Sequence, residues 1–167
     1  MPSVGPTPPT SSPVDQWRVT LLLADAAQVV SGKLYLLGGG WSICSAPTPP
    51  MAVAGKVDVP WDETNRPHTL KLELLTQDGV SVSVPTPVGN RPIAIDATFE
   101  VGRAAGLPPG TPMDFPFAIN MGPLPLDPGE RYMWRLTIDD ISEATWRLAF
   151  STFRPLRTPA GDGGTQG

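Results

Sequence analysis

Apolar side chains recur at every second position over most of this chain, a period that places them on one face of a β-strand. The clearest case sets Tyr132, Trp134, Leu136 and Ile138 against Arg131, Arg135, Thr137 and Asp139. The same alternation runs through Trp17, Val19, Leu21 and Leu23, through Leu70, Leu72 and Leu74, and through Val80, Val82 and Val84. It returns at Met51, Val53, Val57 and Val59, at Ile93 to Val101, at Phe115 to Met121 and at Trp146, Leu148 and Phe150. Leu34 to Ile43 is expected to hold one or two strands, and the domain is taken to comprise some eight or nine. Asp78-Gly79 reads as a two-residue hairpin turn, since both positions tolerate positive φ. Asp127-Pro128-Gly129 precedes the Tyr132 strand, and longer connections are expected at Ala46–Pro50, Asp62–Pro67 and Gly102–Pro112. A single helical turn is expected at Asp25–Val30.

One-sided strands need a second apolar layer, and no long helix is available to supply it. The expectation is an all-β domain, a single antiparallel β-sandwich, with a closed barrel as the competing solution. Composition strengthens this: 22 prolines and 17 glycines punctuate the 167 residues, and interior proline breaks long helices. The domain is placed at residues 15–154, between disordered tails at 1–14 (rich in Pro, Thr and Ser) and 155–167.

The net charge is −4, with only three lysines and with arginines spread along the chain. Nucleic acid and anionic membrane are therefore unexpected partners, because phosphate neutralisation needs gathered Lys and Arg. The single cysteine, Cys44, precludes an internal disulfide and a multi-thiolate metal site. The N-terminus lacks the charged and apolar regions of a secretory signal, and the longest apolar runs are too short to span a bilayer, so the expected location is the cytoplasm.

The candidate chemistry is sparse. His68 is the only histidine, and a nucleophile–base pair would have to join it to Cys44 or a serine. No serine lies in a Gly-x-Ser-x-Gly elbow, so the favoured reading is a surface or strand-end histidine. Gly38-Gly39-Gly40 leads into a strand and lacks a Lys-Ser/Thr pair, so a bend is favoured over a phosphate loop. The acids at Asp58/Asp62/Glu63 and Asp139/Asp140/Glu143 lack EF-hand spacing, and no catalytic residue, metal or cofactor is assigned.

What remains for function is surface. Trp17, Trp134 and Trp146 share the core phase of their strands, whereas Trp41 follows the glycine bend and Trp61 sits between Pro60 and Asp62. Exposed aromatics at strand ends can stack on sugars or anchor a protein partner. The loop containing Pro108 and Pro109 is pre-extended and loses little entropy on docking. The candidate binding residues are thus Trp41, Trp61, Gly39, Pro108 and Pro109. The expected function is a non-enzymatic interaction or accessory module, possible as a homo-oligomer or with a protein partner. A small-ligand or carbohydrate-binding module is the alternative, and a metal-dependent hydrolase the third.

Three segments carry a resemblance: Val19–Trp41 (VTLLLADAAQVVSGKLYLLGGGW), His68-Thr69-Leu70 to Asp78-Gly79, and Pro128-Gly129-Glu130-Arg131-Tyr132 to Ile138-Asp139. Together they resemble a family of small bacterial proteins of unknown function, common in actinobacteria, over most of residues 17–151. The resemblance implies an immunoglobulin-like sandwich and brings no catalytic residues with it.

Overall fold

The structure is a computed structural model that describes residue 5 and residues 16–157. Apart from residue 5 and residues 155–157, the two expected tails lie outside the described residues. The described chain is all-β with several antiparallel pairings, and its only helical segment with named bounds is the 3-10 turn Trp61–Glu63. Among the described residues no helix is long and apolar enough to cross a membrane.

One sheet has the order β1 (Arg18–Ala24), β5 (Met51–Val59), β10 (Met113–Met121). A second runs β4 (Ile43–Ser45), β12 (Arg147–Phe153), β11 (Arg131–Ile138), β6 (Pro67–Thr76), β9 (Ala94–Glu100). All these neighbours pair antiparallel except β4, which lies parallel to β12. Two separate hairpins complete the chain: β2 (Ala26–Val30) with β3 (Lys33–Leu37), and β7 (Ser83–Thr86) with β8 (Gly89–Pro92).

The alternation works as the physics of the pleat requires. Val53, Val57 and Val59 of β5 and Leu23 of β1 meet Leu70, Leu72, Leu74, Trp134 and Leu136 of the other sheet in one buried cluster. Trp134 and Trp146 are buried in it, and Trp17 packs against it. Gly55 occupies a core-facing position of β5, flanked in register by Leu21 and Phe117. A Cβ there would lie 2.5 Å from the Phe117 ring and 3.0 Å from Leu21 Cδ2, so the ring lies across the space that glycine leaves.

The opposite face of β5 carries Ala52 and Ala54, and these small residues are buried as well. Their cover is the β2–β3 hairpin, whose Ala27 and Leu34 pack on Ala52, Ala54 and Ala118. The expected helical turn at Asp25–Val30 is therefore a strand. Ser31 and Gly32 both take positive φ, so the chain reverses and pairs Val30 with Lys33 instead of coiling. Asn120 of β10 fixes the hairpin in place: its carboxamide accepts from Ala27 N–H (3.1 Å) and donates to the Ala27 carbonyl (2.8 Å). Asn120→Ala is expected to leave the core ladder intact while amide exchange accelerates selectively in Ala26–Leu37, as mass-spectrometric hydrogen exchange would report.

Two other expectations change in detail. The Asp78-Gly79 turn is a longer loop, closed by Thr76 N–H donating to the Val80 carbonyl at 2.8 Å, with Gly79 in the left-handed region. The strand expected at Val80, Val82 and Val84 begins only at Ser83, and Val80 stays exposed because the loop is still closing there. The strand count rises from eight or nine to twelve, with β2, expected as a helical turn, and the four-residue β8, which has no alternating apolar positions, among the additions.

Candidate functional site

His68 opens β6 in phase with Leu70, Leu72 and Leu74, and so it points inward. It is 2 % exposed, which corrects the surface reading; it does stand near the strand end. Trp17 meets its ring edge-on at 5.1 Å and Phe99 lies at 5.4 Å. Nδ1 faces Asp139 Oδ2 at 2.6 Å and Nε2 faces the Glu63 carbonyl at 2.7 Å. A carbonyl only accepts, so Nε2 donates to Glu63 while Nδ1 is held against the Asp139 carboxyl group, and both ring nitrogens have a partner.

Asp139 is positioned by a backbone with φ 47° and also accepts from Thr69 N–H at 2.9 Å. Burial works against its charge, but the bonds from His68 and Thr69 prevail and hold its carboxyl below the usual range. The group ties three elements together: the 3-10 turn through Glu63, β6 through His68 and Thr69, and the end of β11 through Asp139. A neighbouring cavity of about 180 Å³ is lined by Trp17, Glu63, Arg66, Ile138, Asp139, Ile141 and Trp146.

Cys44 pairs with Thr152 on β12, whereas His68 lies beyond the Ile138 end of β11. The strand between them spans Arg131–Ile138 and both lie beyond its ends, so about 30 Å of strand length separates the two positions. Burial also raises the Cys44 thiol above its ordinary pKa, which disfavours the nucleophilic thiolate. Cys44 and His68 are therefore not assembled as a nucleophile–base pair. Among the described residues no three His, Cys, Asp or Glu side chains are grouped to hold a metal ion.

The five candidate binding residues fall in separate places. Gly39 and Trp41 lie at the Ala24 end of β1, where Gly40 N–H donates to the Leu23 carbonyl at 2.7 Å. Gly38 and Gly40 take positive φ, and Asp25 fills the space where a Gly38 side chain would stand. The triple glycine is thus a close bend that lets the hairpin return to the sheet. The Trp41 side chain packs against the core cluster.

Trp61 stands at the other end of β1, beside Arg18, roughly 20 Å from Trp41 along the strand. The Arg103 guanidinium lies 4.3 Å from its ring centroid and donates to its carbonyl at 2.8 Å. An open pocket of about 410 Å³ is bounded by Gln16, Arg18, Asp58, Pro60, Trp61, Asp62, Gly110 and Pro112. The proline loop thus reaches the Trp61 pocket through Gly110 and Pro112, while Pro108 and Pro109 are exposed outside it. Beside the pocket, Asp114 and Asp58 hold Lys56 Nζ at 2.8 and 2.7 Å and raise its pKa.

The surface that alternation did not single out is the outward face of the β2–β3 hairpin. Tyr35 is 51 % and Leu37 69 % exposed on it, with Val30 exposed beside them, while Val29 and Leu36, in phase with the packed Ala27 and Leu34, are exposed on the other face. Between Ala26 and Leu37 only Lys33 is charged. A shallow depression of about 270 Å³ lies among Ala26, Ala27, Gln28, Tyr35, Leu36 and Leu37. The sequence signal was present in QVV and KLYLL, where apolar residues occupy both faces of a hairpin that has only one face to bury.

The model of DUF6941, described as a family of unknown function, matches residues 19–151. The chain belongs to that family. No curated protein and no solved structure matches it. The matched span contains the β2–β3 hairpin, the His68 group apart from Trp17, and the Trp61 pocket apart from Gln16 and Arg18.

A second buried charge group lies on the outer side of β6. Ser81 Oγ donates to Glu73 Oε1 at 2.7 Å and Arg135 Nη2 donates to Oε2 at 2.6 Å. The Ser81 bond first, with Arg135 helping, outweighs burial and lowers the Glu73 pKa. A carboxyl with a depressed folded-state pKa stabilises the fold above its unfolded pKa and loses that contribution as pH falls. Glu73 and Asp139 both act in that direction. Urea midpoints are therefore expected to fall from about pH 4.5 downward, and Glu73→Gln should flatten part of that slope.

Proposed function

We propose that this DUF6941 domain is a non-enzymatic interaction module that works through protein–protein contact at the outward face of the β2–β3 hairpin. The observation that carries the reading is the exposed apolar group Val30, Tyr35 and Leu37 on that face, with Val29 and Leu36 also exposed on the opposite face and Lys33 the hairpin's only charge. The hairpin is held rigidly by Asn120 and by the bend at Gly38–Gly40, so it presents that surface without an ordering cost. The unassembled His68 and Cys44 agree with a role outside catalysis. We read the body as an immunoglobulin-like sandwich in a bacterial cytoplasmic protein. Support for the sandwich comes from the two facing sheets and from Tyr132, whose hydroxyl accepts from Asp127 N–H (3.1 Å) at the corner entering β11.

Size-exclusion of native lysate tests the reading. The chain is expected to elute well above 17.7 kDa, Leu37→Asp to shift it toward the monomer, and Val88→Asp to leave it unchanged. Val88 is the control because it is 97 % exposed on the separate β7–β8 hairpin. Elution of the unaltered chain as a monomer would contradict the reading.

A second reading, a carbohydrate-binding module, draws on the Trp61 pocket, where an aromatic ring stands beside Asp58, Asp62 and Gln16. A panel of mono- and disaccharides in thermal-shift assays should then give a hit that Trp61→Ala abolishes. A panel without a hit removes it.

A further inference from the structure

We infer that the partner at the hairpin is a second copy of this chain, joined antiparallel along the outer edge of β3; this rests on the protein-contact reading above. The backbone geometry carries the inference. The N–H and C=O of Ala27 are both taken by Asn120, so they point away from β3. Ala27 stands opposite Leu36, and Val29 opposite Leu34. In an antiparallel ladder, residues at a non-hydrogen-bonded pair both turn their backbone groups outward. Leu34 and Leu36 therefore aim their N–H and C=O groups off the far edge of β3. Among the described residues that edge pairs with no other strand and meets no backbone partner.

The edge lacks the usual protections against strand pairing. Lys33–Leu37 contains no proline and no acidic residue, and its only charge is at one end. It is also self-complementary. An antiparallel register centred on Tyr35 opposes Leu34 to Leu36 of the second copy, and Leu36 to Leu34. Both pairs then form the hydrogen-bonded kind, with Tyr35 opposite its own counterpart between them. A two-fold axis through Tyr35 closes the assembly at two copies and leaves no edge for a third.

The charges agree with this register. Lys33 falls opposite Leu37 of the second copy, one residue from Gly38. Asp25 sits there, its N–H donating to the Leu37 and Gly38 carbonyls and its carboxylate filling the space beside Gly38. No like charges are opposed.

Light scattering on the purified full chain, with complementary variants at Tyr35, tests this. The unaltered chain should have twice the 17.7 kDa mass. Tyr35→Lys and Tyr35→Glu should each be monomeric alone, because the register sets like charge against like charge, and an equimolar mixture should restore a dimer containing one of each. Tyr35 is half exposed, so circular dichroism should show both variants folded. Should either fail to fold, hydrogen exchange on the unaltered protein decides: slow Leu34 and Leu36 amides support pairing, and loop-like exchange overturns it. A monomeric unaltered chain, or a mixture that stays monomeric, also overturns it. A chain monomeric when pure but large in lysate removes only the second copy, whereas a monomer in both settings removes the protein-contact reading as well.

Discussion

His68→Ala is expected to lower the unfolding free energy by about 3 kcal/mol, measured by urea titration at neutral pH. The imidazole is buried between Trp17 and Phe99, so truncation opens a cavity in an aromatic cluster that continues from Phe99 to Phe115 at 4.2 Å. It also leaves the Glu63 carbonyl and Asp139 without the donor that faces them. Asp139 is partly open to water and recovers some of its loss there, which keeps the expected cost below that of breaking a fully enclosed ion pair. His68→Phe should recover the packing and lose the bonds, falling between the two. A loss under about 0.5 kcal/mol for His68→Ala would mean the ring carries little of the junction between β6, the 3-10 turn and the end of β11.

Gly55→Val is expected to be at least as damaging, roughly 3 kcal/mol or more, because it forces atoms into a filled core. The new Cβ would stand 2.5 Å from the Phe117 ring before the two methyl groups are added. Phe117 cannot simply swing away, since its neighbours on the facing sheet belong to the same buried cluster. Coupling provides the diagnostic. Phe117→Leu alone should destabilise, yet in the Gly55→Ala background it should cost much less, giving a favourable interaction energy of about 1 kcal/mol or more. Additive losses would show that the ring and the glycine do not share that space.

The period of two revealed the strands that build the two facing sheets, since each is long enough to repeat. Tyr132–Ile138 and Leu70–Leu74 show why: every second side chain enters the same core. His68 belongs to the same phase, two residues before Leu70, and a polar side chain on an apolar face was the available sign that it was buried and bonded. Asp25–Val30 was illegible for a different reason. Its strand state depends on Asn120, far along the chain, and on apolar residues on both faces, which weakens any alternation. Trp41 and Trp61 both follow turn residues in sequence. Only the pairing of β1 with β5 reveals that they stand at opposite ends of one strand. The outer edge of β3 could not be read at all, because which backbone groups point outward follows from the hairpin register and from Asn120.

The most direct test of function at this hairpin is photo-crosslinking in living cells, with a photoreactive residue placed at Leu37 and, as control, at Val88. The expected result is a discrete protein adduct from Leu37 and none from Val88, with the Leu37 adduct at the mass of two copies of the chain. Crosslinking at Leu37 to water alone, with the chain running as a monomer, would contradict it.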